Sequence, residues 1–544
     1  MPTLNWIGKD EIVQHDKEVK FKLFKKVKGC SVGDKSKNLL IHGDNLEALK
    51  ALMPYYQGQI KCIYIDPPYN TGNENWVYND NVNSPKIKKW LKSKVNREDL
   101  TRHDKWLCMM YPRLKLLKEL LSDEGVIFIS INEDELYNLK HLCDEIFDET
   151  NYLTTFTVKV RHEDRILKGD KDFHEVVEYL LMYRKSLKYK PLKREIDNTS
   201  LSEYVYEVKE LKSPKKIKLG SKEVELLRED EFKIKKIPPS EKALKKINIR
   251  GSIKEGNSSG RFYMAYLDKV RDNYKGCLIK VSGMGADRLG YRYFLMPSSE
   301  KKSNGDYFQG VPVDRPQSKE IPFPNYLDFE SDFNRVGYEG GVDFRNGKKP
   351  IHFLMHLFDI AGARSDKEAI IVDSFAGSGS TAHAVMEFNK KYIGKRKFIL
   401  IEMEDYAKTI TAERIKKSIQ LENYKEGFEF CELGKPLFDE KGDIEEECSF
   451  EQLATYIYFT ETQTNIDKRE IKGNFIGEFK PKNSEYYLIF KDKYTNVLKR
   501  NFIEKINKNN NKKVIYADLC LIDKDTLEKN NIQFKQIPYE VKKY

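Results

Sequence analysis

The sequence lacks a long apolar run. None of its 544 residues lies in a stretch near the roughly 18 uninterrupted apolar residues of a membrane-spanning helix, and the first residues show no charged flank followed by an apolar core. We therefore expect neither a membrane span nor a signal peptide. The eight cysteines are scattered, and none forms a CxxC pair. This spacing argues against a metal site and a disulfide framework, and it favours a cytoplasmic protein.

The phosphate-binding signature of ATPases is also missing. The Gly-rich segment of the chain is not followed by Gly-Lys-Ser/Thr, which excludes a P-loop, and we find no repeat at solenoid or propeller periods. Charged residues, by contrast, are abundant: they make up 33% of the chain, with a formal net charge of +11. A positive excess suits a polyanionic partner, although a lysine-rich composition explains the charge equally well.

Strand-like and helix-like segments alternate over residues 38–189 and again over 346–420. Apolar runs such as LLIH (39–42), CIYI (62–65) and AIIV (369–372) end in loop residues and are followed by helix-period stretches. Strands that alternate with helices imply βαβ units and a parallel sheet. We therefore predict an α/β fold with a doubly wound, mostly parallel sheet.

The segment between these two halves has a different composition. Residues 190–250 are polar and lysine-rich, and 251–347 are rich in glycine, proline and aromatic residues. An α/β domain interrupted by an insertion explains this order most simply. The predicted organisation is an N-terminal extension, the first half of the α/β domain, an inserted domain, the second half and a mixed C-terminal domain: 1–37, 38–189, 190–345, 346–420 and 421–544.

A Gly-rich turn, DSFAGSGST (373–381), follows the strand AIIV. Its glycines let the backbone pass close to a ligand, and the helix N-terminus after it offers free N–H groups to a negatively charged group. A tight structural turn explains the segment nearly as well. Glu402 ends the next strand, FILIE. It matches the acid that nucleotide-binding α/β folds place about 20 residues further on to bind a ribose diol, although a lone acid at a strand end is usually just solvated.

The segment YIDPPYN (64–70) is the most informative one. Its two prolines donate no backbone hydrogen bonds and stiffen the chain directly after a buried strand, at the sheet edge where α/β proteins bind ligands. Asp66 and a nearby backbone carbonyl, that of Pro67, can accept both hydrogens of an exocyclic aromatic amine. This localises the amine's lone pair for direct attack on a sulfonium methyl group. Tyr69, after Pro68, offers a ring face to a base flipped out of the duplex.

At these residues the chain resembles DNA amino-methyltransferases with a circularly permuted motif order, in which the DPPY loop precedes the recognition region and the FxGxG loop follows it. The resemblance implies S-adenosylmethionine as the cofactor, Asp44 near its adenine and Lys349 beside its methionine end. Glu402 is implied on the ribose. The residues implied around the methionine part are Asp373, Ser374, Phe375, Gly377, Gly379 and Thr381.

A narrower resemblance covers nearly the whole chain. HGDNLEALKAL, IDPPYNTG, GVIFISINEDE and FAGSGSTAHAV, among others, are similar to the modification (Mod) subunits of Type III restriction–modification systems. This resemblance implies a homodimer that methylates N6 of adenine in double-stranded DNA and associates with a helicase–nuclease (Res) subunit. Asp at the first loop position favours adenine N6 over cytosine N4. A cytosine-N4 enzyme, an RNA methyltransferase and a catalytically silent DNA-binding subunit of this fold remain alternatives.

One further segment, in the predicted insertion, interleaves basic and aromatic residues. Loops that read bases or phosphates have this composition, and an ordinary β-hairpin explains it at least as well. We predict that residues 190–345 read the DNA sequence, with four candidate contacts: Arg288, Tyr291, Arg292 and Tyr293.

Overall fold

The structure is a computed structural model that describes residues 3–33, 36–71, 101–164, 173–298, 304–344, 347–439, 443–491 and 495–537. The chain divides into two compact units, Met1–Leu192 together with Pro324–Tyr544, and Lys193–Phe323. Among the described residues, no helix is long and apolar enough to cross a membrane.

The larger unit begins with two short helices and then alternates strands with helices. Its first strands are β1 (Lys22–Lys26), β2 (Leu39–His42), β3 (Ile60–Ile65), β4 (Leu121–Ile131), β5 (Tyr152–Lys159) and β6 (Val177–Arg184). Its first helices are α1 (Lys9–Ile12), α2 (His15–Glu18), α3 (Asn45–Tyr56), α4 (Arg102–Leu120) and α5 (Leu136–Phe147). Helix α4 starts at a capping box, in which Thr101 and Asp104 each bond the other's backbone N–H.

The smaller unit, Lys193–Phe323, is mostly antiparallel β-structure. Its strands are β7 (Lys193–Asp197), β8 (Tyr206–Glu210), β9 (Lys215–Leu219), β10 (Lys222–Leu227), β11 (Phe232–Lys236), β12 (Lys245–Asn248), β13 (Leu278–Ser282), β14 (Tyr291–Leu295), β15 (Asp306–Gln309) and β16 (Ser318–Pro322), with helices α6 (Ser252–Gly256) and α7 (Ser258–Phe262). A six-stranded sheet in the order β12-β15-β14-β13-β10-β9 packs on its own apolar core. Strands β7 and β16 pair with each other, so the unit begins and ends at one place.

The chain then returns to the larger unit. The strands that follow are β17 (Tyr326–Asp328), β18 (Ile370–Asp373), β19 (Lys397–Glu402) and β20 (Glu429–Pro436), and the helices are α8 (Glu330–Arg335), α9 (Ile351–Ile360), α10 (Ser380–Tyr392) and α11 (Ala412–Glu422). The last part contains α12 (Phe450–Thr462), α13 (Arg500–Ile503) and α14 (Lys524–Lys529) with β21 (Phe475–Phe479), β22 (Ser484–Leu488), β23 (Val497–Leu498), β24 (Lys512–Ala517), β25 (Leu519–Cys520) and β26 (Ile532–Gln536).

The central sheet has ten strands in the order β1-β20-β2-β19-β18-β3-β4-β6-β5-β17. The strands from β20 to β4 are parallel, whereas β6 is antiparallel to both of its neighbours. Helices cover the buried apolar strands, as parallel sheets require. The predicted α/β class with a mostly parallel sheet is confirmed.

The boundaries in the structure differ from the predicted ones. The smaller unit ends at Phe323 rather than at residue 345, because β17 adds to the central sheet beside β5. The predicted N-terminal extension contributes β1, and the predicted C-terminal domain contributes β20, so both enter the central sheet. Composition changes marked the insertion, but strand pairing over long sequence distances sets its end.

Candidate active site

Four acidic residues lie along one edge of the central sheet. They follow or end four neighbouring parallel strands, β2, β19, β18 and β3: Asp44, Glu402, Asp373 and Asp66. Because parallel strands end on the same side of a sheet, the Asp-Pro-Pro-Tyr loop after β3 lies beside the Gly-rich turn after β18. The structure thus brings the two loops that were predicted from sequence to one edge.

The loop after β3 is fixed by its surroundings. The Trp106 indole donates a hydrogen bond of 2.6 Å to the carbonyl oxygen of Pro68. Asn70 has φ of +59°, and its buried amide bonds the carboxylate of Glu135 and the carbonyl oxygen of Arg102. These contacts hold both sides of Tyr69 and make the loop a rigid platform.

A charged network surrounds Asp66. The Tyr69 hydroxyl lies 2.9 Å from carboxylate oxygens of both Asp66 and Glu178. The Lys349 ammonium lies 2.8 Å from the Tyr69 hydroxyl, 2.7 Å from Glu178 and 3.3 Å from Asp66. The ammonium can donate to the hydroxyl oxygen, which leaves the hydroxyl proton for one of the two carboxylates. Glu178 was missed from sequence, although it is the one carboxylate in strand β6, which is apolar or aromatic from Tyr179 to Tyr183.

Burial and opposite charge compete at these residues. Burial raises the pKa of Asp66 to about 6, although Lys349 opposes the rise. Burial also works against the charges of Lys349 and Glu178, but their attraction outweighs it, so the pKa of Lys349 is raised and that of Glu178 is lowered. Near neutral pH the network therefore holds one ammonium between two carboxylates.

The Gly-rich turn is held by two of the predicted acids. Asp373 accepts hydrogen bonds from the Phe375 N–H at 3.0 Å and from the Thr381 hydroxyl at 2.6 Å. Glu402 accepts one from the Gly377 N–H at 2.8 Å. Burial raises the pKa of Asp373 and that of Glu402 to about 7 in each case. Both carboxyl groups thus shape the turn, and each still has lone pairs for other donors.

Two features of the turn fit a ligand beside it. Gly379 has φ of +82°, which favours glycine, and it brings the backbone into the helix start. The Ser374 hydroxyl is buried and has no hydrogen-bond partner within the described part of the chain. A buried hydroxyl without a partner is rare unless water or a ligand bonds it. The turn therefore fits a polar ligand such as the cofactor implied by sequence.

Asp44 caps a helix next to this turn. One oxygen of its carboxylate accepts from the N–H groups of Leu46 and Glu47, and the other lies 3.2 Å from the buried Arg113 guanidinium. The amide of the next residue, Asn45, donates to the carbonyl oxygen of Ser374 at 3.2 Å. Asp44 is therefore tied to the Gly-rich turn, and its contact with a cofactor adenine stays a prediction.

Lys349 lies in the charged network around Asp66. Its side chain is 9% exposed, and its ammonium bonds the residues around Asp66. In the segment KKPIHF, Pro350 is the N-cap of α9, and Lys349 directly before it reaches Asp66 at the carboxyl ends of the parallel strands. The predicted contact with the methionine end of a cofactor is not tested by this geometry.

The candidate DNA contacts in the smaller unit need a correction. Arg292 is 3% exposed and pairs with buried Asp287, and Tyr293 is buried with its hydroxyl 2.6 Å from Glu210. Neighbours along β14 point to opposite faces of the sheet, and here both side chains are covered: Arg292 by its pair with Asp287, and Tyr293 by its packing in a cluster with Leu227, Leu278 and Phe308. Arg288 is exposed and Tyr291 is partly exposed, so these two remain candidates.

The fold and the site define a class: an α/β protein whose mostly parallel sheet carries an Asp-Pro-Pro-Tyr loop beside a Gly-rich strand-to-helix turn. The chain belongs to the DNA methylase family, whose family model matches residues 60–413. It is 30% identical over 435 residues to the probable Type III restriction-modification enzyme HindVI Mod subunit of Haemophilus influenzae, covering 72% of this chain and 52% of that protein.

Two further relatives agree with this family. The EcoPI Mod subunit of Escherichia phage P1 is 29% identical over 409 residues, covering 68% of this chain and 58% of that subunit. The Type II methyltransferase M.KpnI of Klebsiella pneumoniae is 28% identical over 399 residues, covering 69% of this chain and 83% of that protein. The predicted similarity to Mod subunits is confirmed, and the chain spans little more than half the length of these two Mod subunits.

Proposed function

We propose that the chain is an S-adenosylmethionine-dependent methyltransferase that modifies N6 of adenine in duplex DNA. One observation carries the proposal. The Asp-Pro-Pro-Tyr loop and the Gly-rich turn follow the adjacent parallel strands β3 and β18, so an acceptor for a base amine and a cofactor turn share one sheet edge. Membership in the DNA methylase family supports the same reaction.

Asp66 would orient and activate the amine. S-adenosylmethionine, when bound, supplies an electrophilic methyl group. The Asp66 carboxylate and the carbonyl of Pro67 would accept the two amine hydrogens, since the carbonyl of Pro68 already bonds Trp106. The Tyr69 ring would stack on a flipped base. After transfer the amine nitrogen carries an extra proton, and the Asp66 carboxylate, with a pKa of about 6, is placed to take it up and release it to water.

The Gly-rich turn would hold the cofactor. The buried Ser374 hydroxyl has no hydrogen-bond partner among the described residues. Glu402, whose carboxylate already accepts the Gly377 N–H, has lone pairs left for ribose hydroxyls. Asp44, tied to the turn through Asn45, would lie near the adenine. The predicted set is then Asp44, Lys349, Asp373, Ser374, Phe375, Gly377, Gly379, Thr381 and Glu402.

The smaller unit would contact DNA. Lys193–Phe323 contains 28 lysines and arginines against 19 aspartates and glutamates, so +9 of the chain's formal +11 lies in this unit. Neutralising DNA phosphates releases counterions, and a basic unit gains most from that release. We propose further that this insertion recognises the DNA sequence and that the chain forms a homodimer and associates with a Res subunit; the similarity to proteins named as Mod subunits supports the partner subunit.

The test is a transfer assay with a tritiated methyl donor on unmodified duplex DNA, with single-stranded RNA as the other arm. Mass spectrometry of the nucleosides is expected to show N6-methyladenine. Asp66→Ala should lower transfer at least about 100-fold, the effect of losing a transition-state hydrogen bond, while cofactor affinity stays within a few-fold. Asp525→Ala, at an exposed residue of α14, is the control. N4-methylcytosine, methylated RNA or unchanged turnover of Asp66→Ala would contradict the proposal.

A further inference from the structure

Two charged residues from distant parts of the chain meet beside Asp66. Glu178 lies near the start of β6, which runs antiparallel to β4 and therefore begins at the edge where β3 ends. Lys349 stands before Pro350 at the start of α9. Their side chains are 2.7 Å apart, and the ammonium also reaches both Asp66 and the Tyr69 hydroxyl.

The contacts of Lys349 do more than connect α9 to β6. An ion pair between Lys349 and Glu178 would connect α9 to β6 without any part of the loop after β3. Instead the ammonium contacts a second carboxylate and lies 5.2 Å from the centre of the Tyr69 ring. The two residues that the proposed chemistry uses are thus both bonded to Lys349, and Glu178 bonds one of them directly.

The proposed reaction needs an ionised Asp66. A protonated carboxyl group is neutral, so its remaining oxygen is a weaker acceptor for an amine hydrogen and it cannot take up the amine proton. The burial of Asp66 (8% side-chain exposure) favours that protonated form. Lys349 is the cation that opposes burial. Five ionisable groups interact electrostatically or by a hydrogen bond with the Asp66 carboxyl: Lys349, Glu178, Tyr69, Tyr64 and Asp373. Arg161 interacts in the same way with Glu178.

We propose that Lys349 and Glu178 are positioning residues of this methyl transfer: Lys349 keeps Asp66 ionised and oriented, and Glu178 holds the Lys349 ammonium in place. The inference rests on the proposed function. Lys349 then acts through Asp66 and Tyr69 rather than on the transferred methyl group. The charge of Lys349 and the acceptor of Glu178 are the properties that matter.

The test compares pH profiles of methyl transfer for the full chain and three variants, Lys349→Met, Lys349→Arg and Glu178→Gln, on unmodified duplex DNA. Removal of the Lys349 charge leaves the Asp66 and Glu178 carboxylates without the ammonium that bonds them both. We expect the acid limb of Lys349→Met to move up by about one to two pH units, with the rate recovering at higher pH. Lys349→Arg keeps the charge and should keep the limb near its original position.

Glu178→Gln should not move the acid limb to higher pH. It removes a negative charge near Asp66 and leaves Lys349 with one carboxylate, so the acid limb should move to lower pH or remain, while the plateau rate falls a few-fold. Thermal unfolding and circular dichroism of each variant show whether the fold is intact. If Lys349 only supported the fold, both Lys349→Met and Lys349→Arg would lower the rate by the same factor at every pH.

The outcomes separate the two proposals. If the unaltered chain transfers no methyl group, the proposed function fails. If it does transfer, and Lys349→Met keeps the original acid limb, the inference is wrong while the function stands. Should Lys349→Met be unfolded or inactive at every pH, Glu178→Gln decides: an acid limb that moves to higher pH overturns the inference.

Discussion

Burial opposes the ionisation of three carboxyl groups in the candidate active site. Burial raises the pKa of Asp66 to about 6 and that of Asp373 and Glu402 to about 7. A carboxyl group that is harder to ionise in the folded chain than in the unfolded chain reduces stability at neutral pH. Groups perturbed in this way cluster at functional sites because ligand binding, rather than folding, selects them.

Asp373→Asn is expected to make the protein more stable at neutral pH and weaker in cofactor binding. Because the folded pKa is raised, Asp373 contributes most to stability below its unfolded pKa near 4, and that contribution is lost as the pH rises to about 7. Asparagine has no charge to lose. Thermal unfolding should show a gain of about 4 kcal/mol near pH 8 and little gain near pH 4. An equal gain at both pH values, or none, would contradict this origin.

Residues close together in sequence were the ones that sequence could assign. Asp66 and Tyr69 share one stiff loop, and Gly377 and Gly379 share one turn, so local geometry alone predicted their placement. Glu178 could not be found in this way, because it lies 109 residues from Tyr69 and reaches it only through the pairing of β6 with β4. The same applies to Arg292, whose partner Asp287 and inner-strand position became visible only in the folded sheet.

At the scale of elements, the strand-to-helix turn after β18 depends on one glycine more than on another. Gly377 and Gly379 both have positive φ, at +52° and +82°. A Cβ atom on Gly379 would lie 3.1 Å from the Thr411 methyl carbon of the neighbouring helix, whereas the nearest atom to a Cβ on Gly377 would be 3.9 Å away. Gly379 therefore meets both a conformational and a steric requirement, whereas Gly377 meets only a conformational one.

Gly379→Ala should accordingly be the more destabilising of the two substitutions. The positive φ costs an alanine about 1 kcal/mol at either site, and the close approach to Thr411 raises the total at Gly379 to about 2–3 kcal/mol. Thermal unfolding without ligand measures this, since ligand contacts do not then contribute. Gly377→Ala is the matched control, and an equal loss for both variants would show that Thr411 moves aside freely.

Alternation of strands and helices allowed the order of the central elements to be predicted, but not the limits of the units. The runs at β2, β3, β18 and β19 were each found close to their observed bounds, because buried parallel strands are short and continuously apolar. The strands β7 to β12 were not found, because charged residues, lysine above all, occupy most of their positions and leave few apolar residues to mark a strand. The short strand β17 carries no pattern of its own and is defined only by its pairing with β5.

At the scale of the whole molecule, charge and chemistry are divided between the two units. The smaller unit holds most of the net positive charge, and the larger unit holds the candidate active site. The first strand of the smaller unit, β7, pairs with its last strand, β16, so that Asp197 and Ser318 are direct partners. A unit whose ends meet can be removed from its host with little change in the path of the remaining chain.

This geometry gives a precise deletion. Replacing residues 198–317 by Asn-Gly would join Asp197 to Ser318 through a two-residue hairpin turn. The removed segment has 25 lysines and arginines and 16 aspartates and glutamates, so the formal net charge falls from +11 to +2.

We expect calorimetry to show S-adenosylmethionine binding within a few-fold of the full chain, because the turn after β18 and its neighbours are all retained. Duplex DNA binding, followed against salt concentration, should become weak and lose most of its salt dependence, since few phosphate contacts remain. Undiminished, salt-sensitive DNA binding by the shortened chain would instead assign the DNA surface to the larger unit.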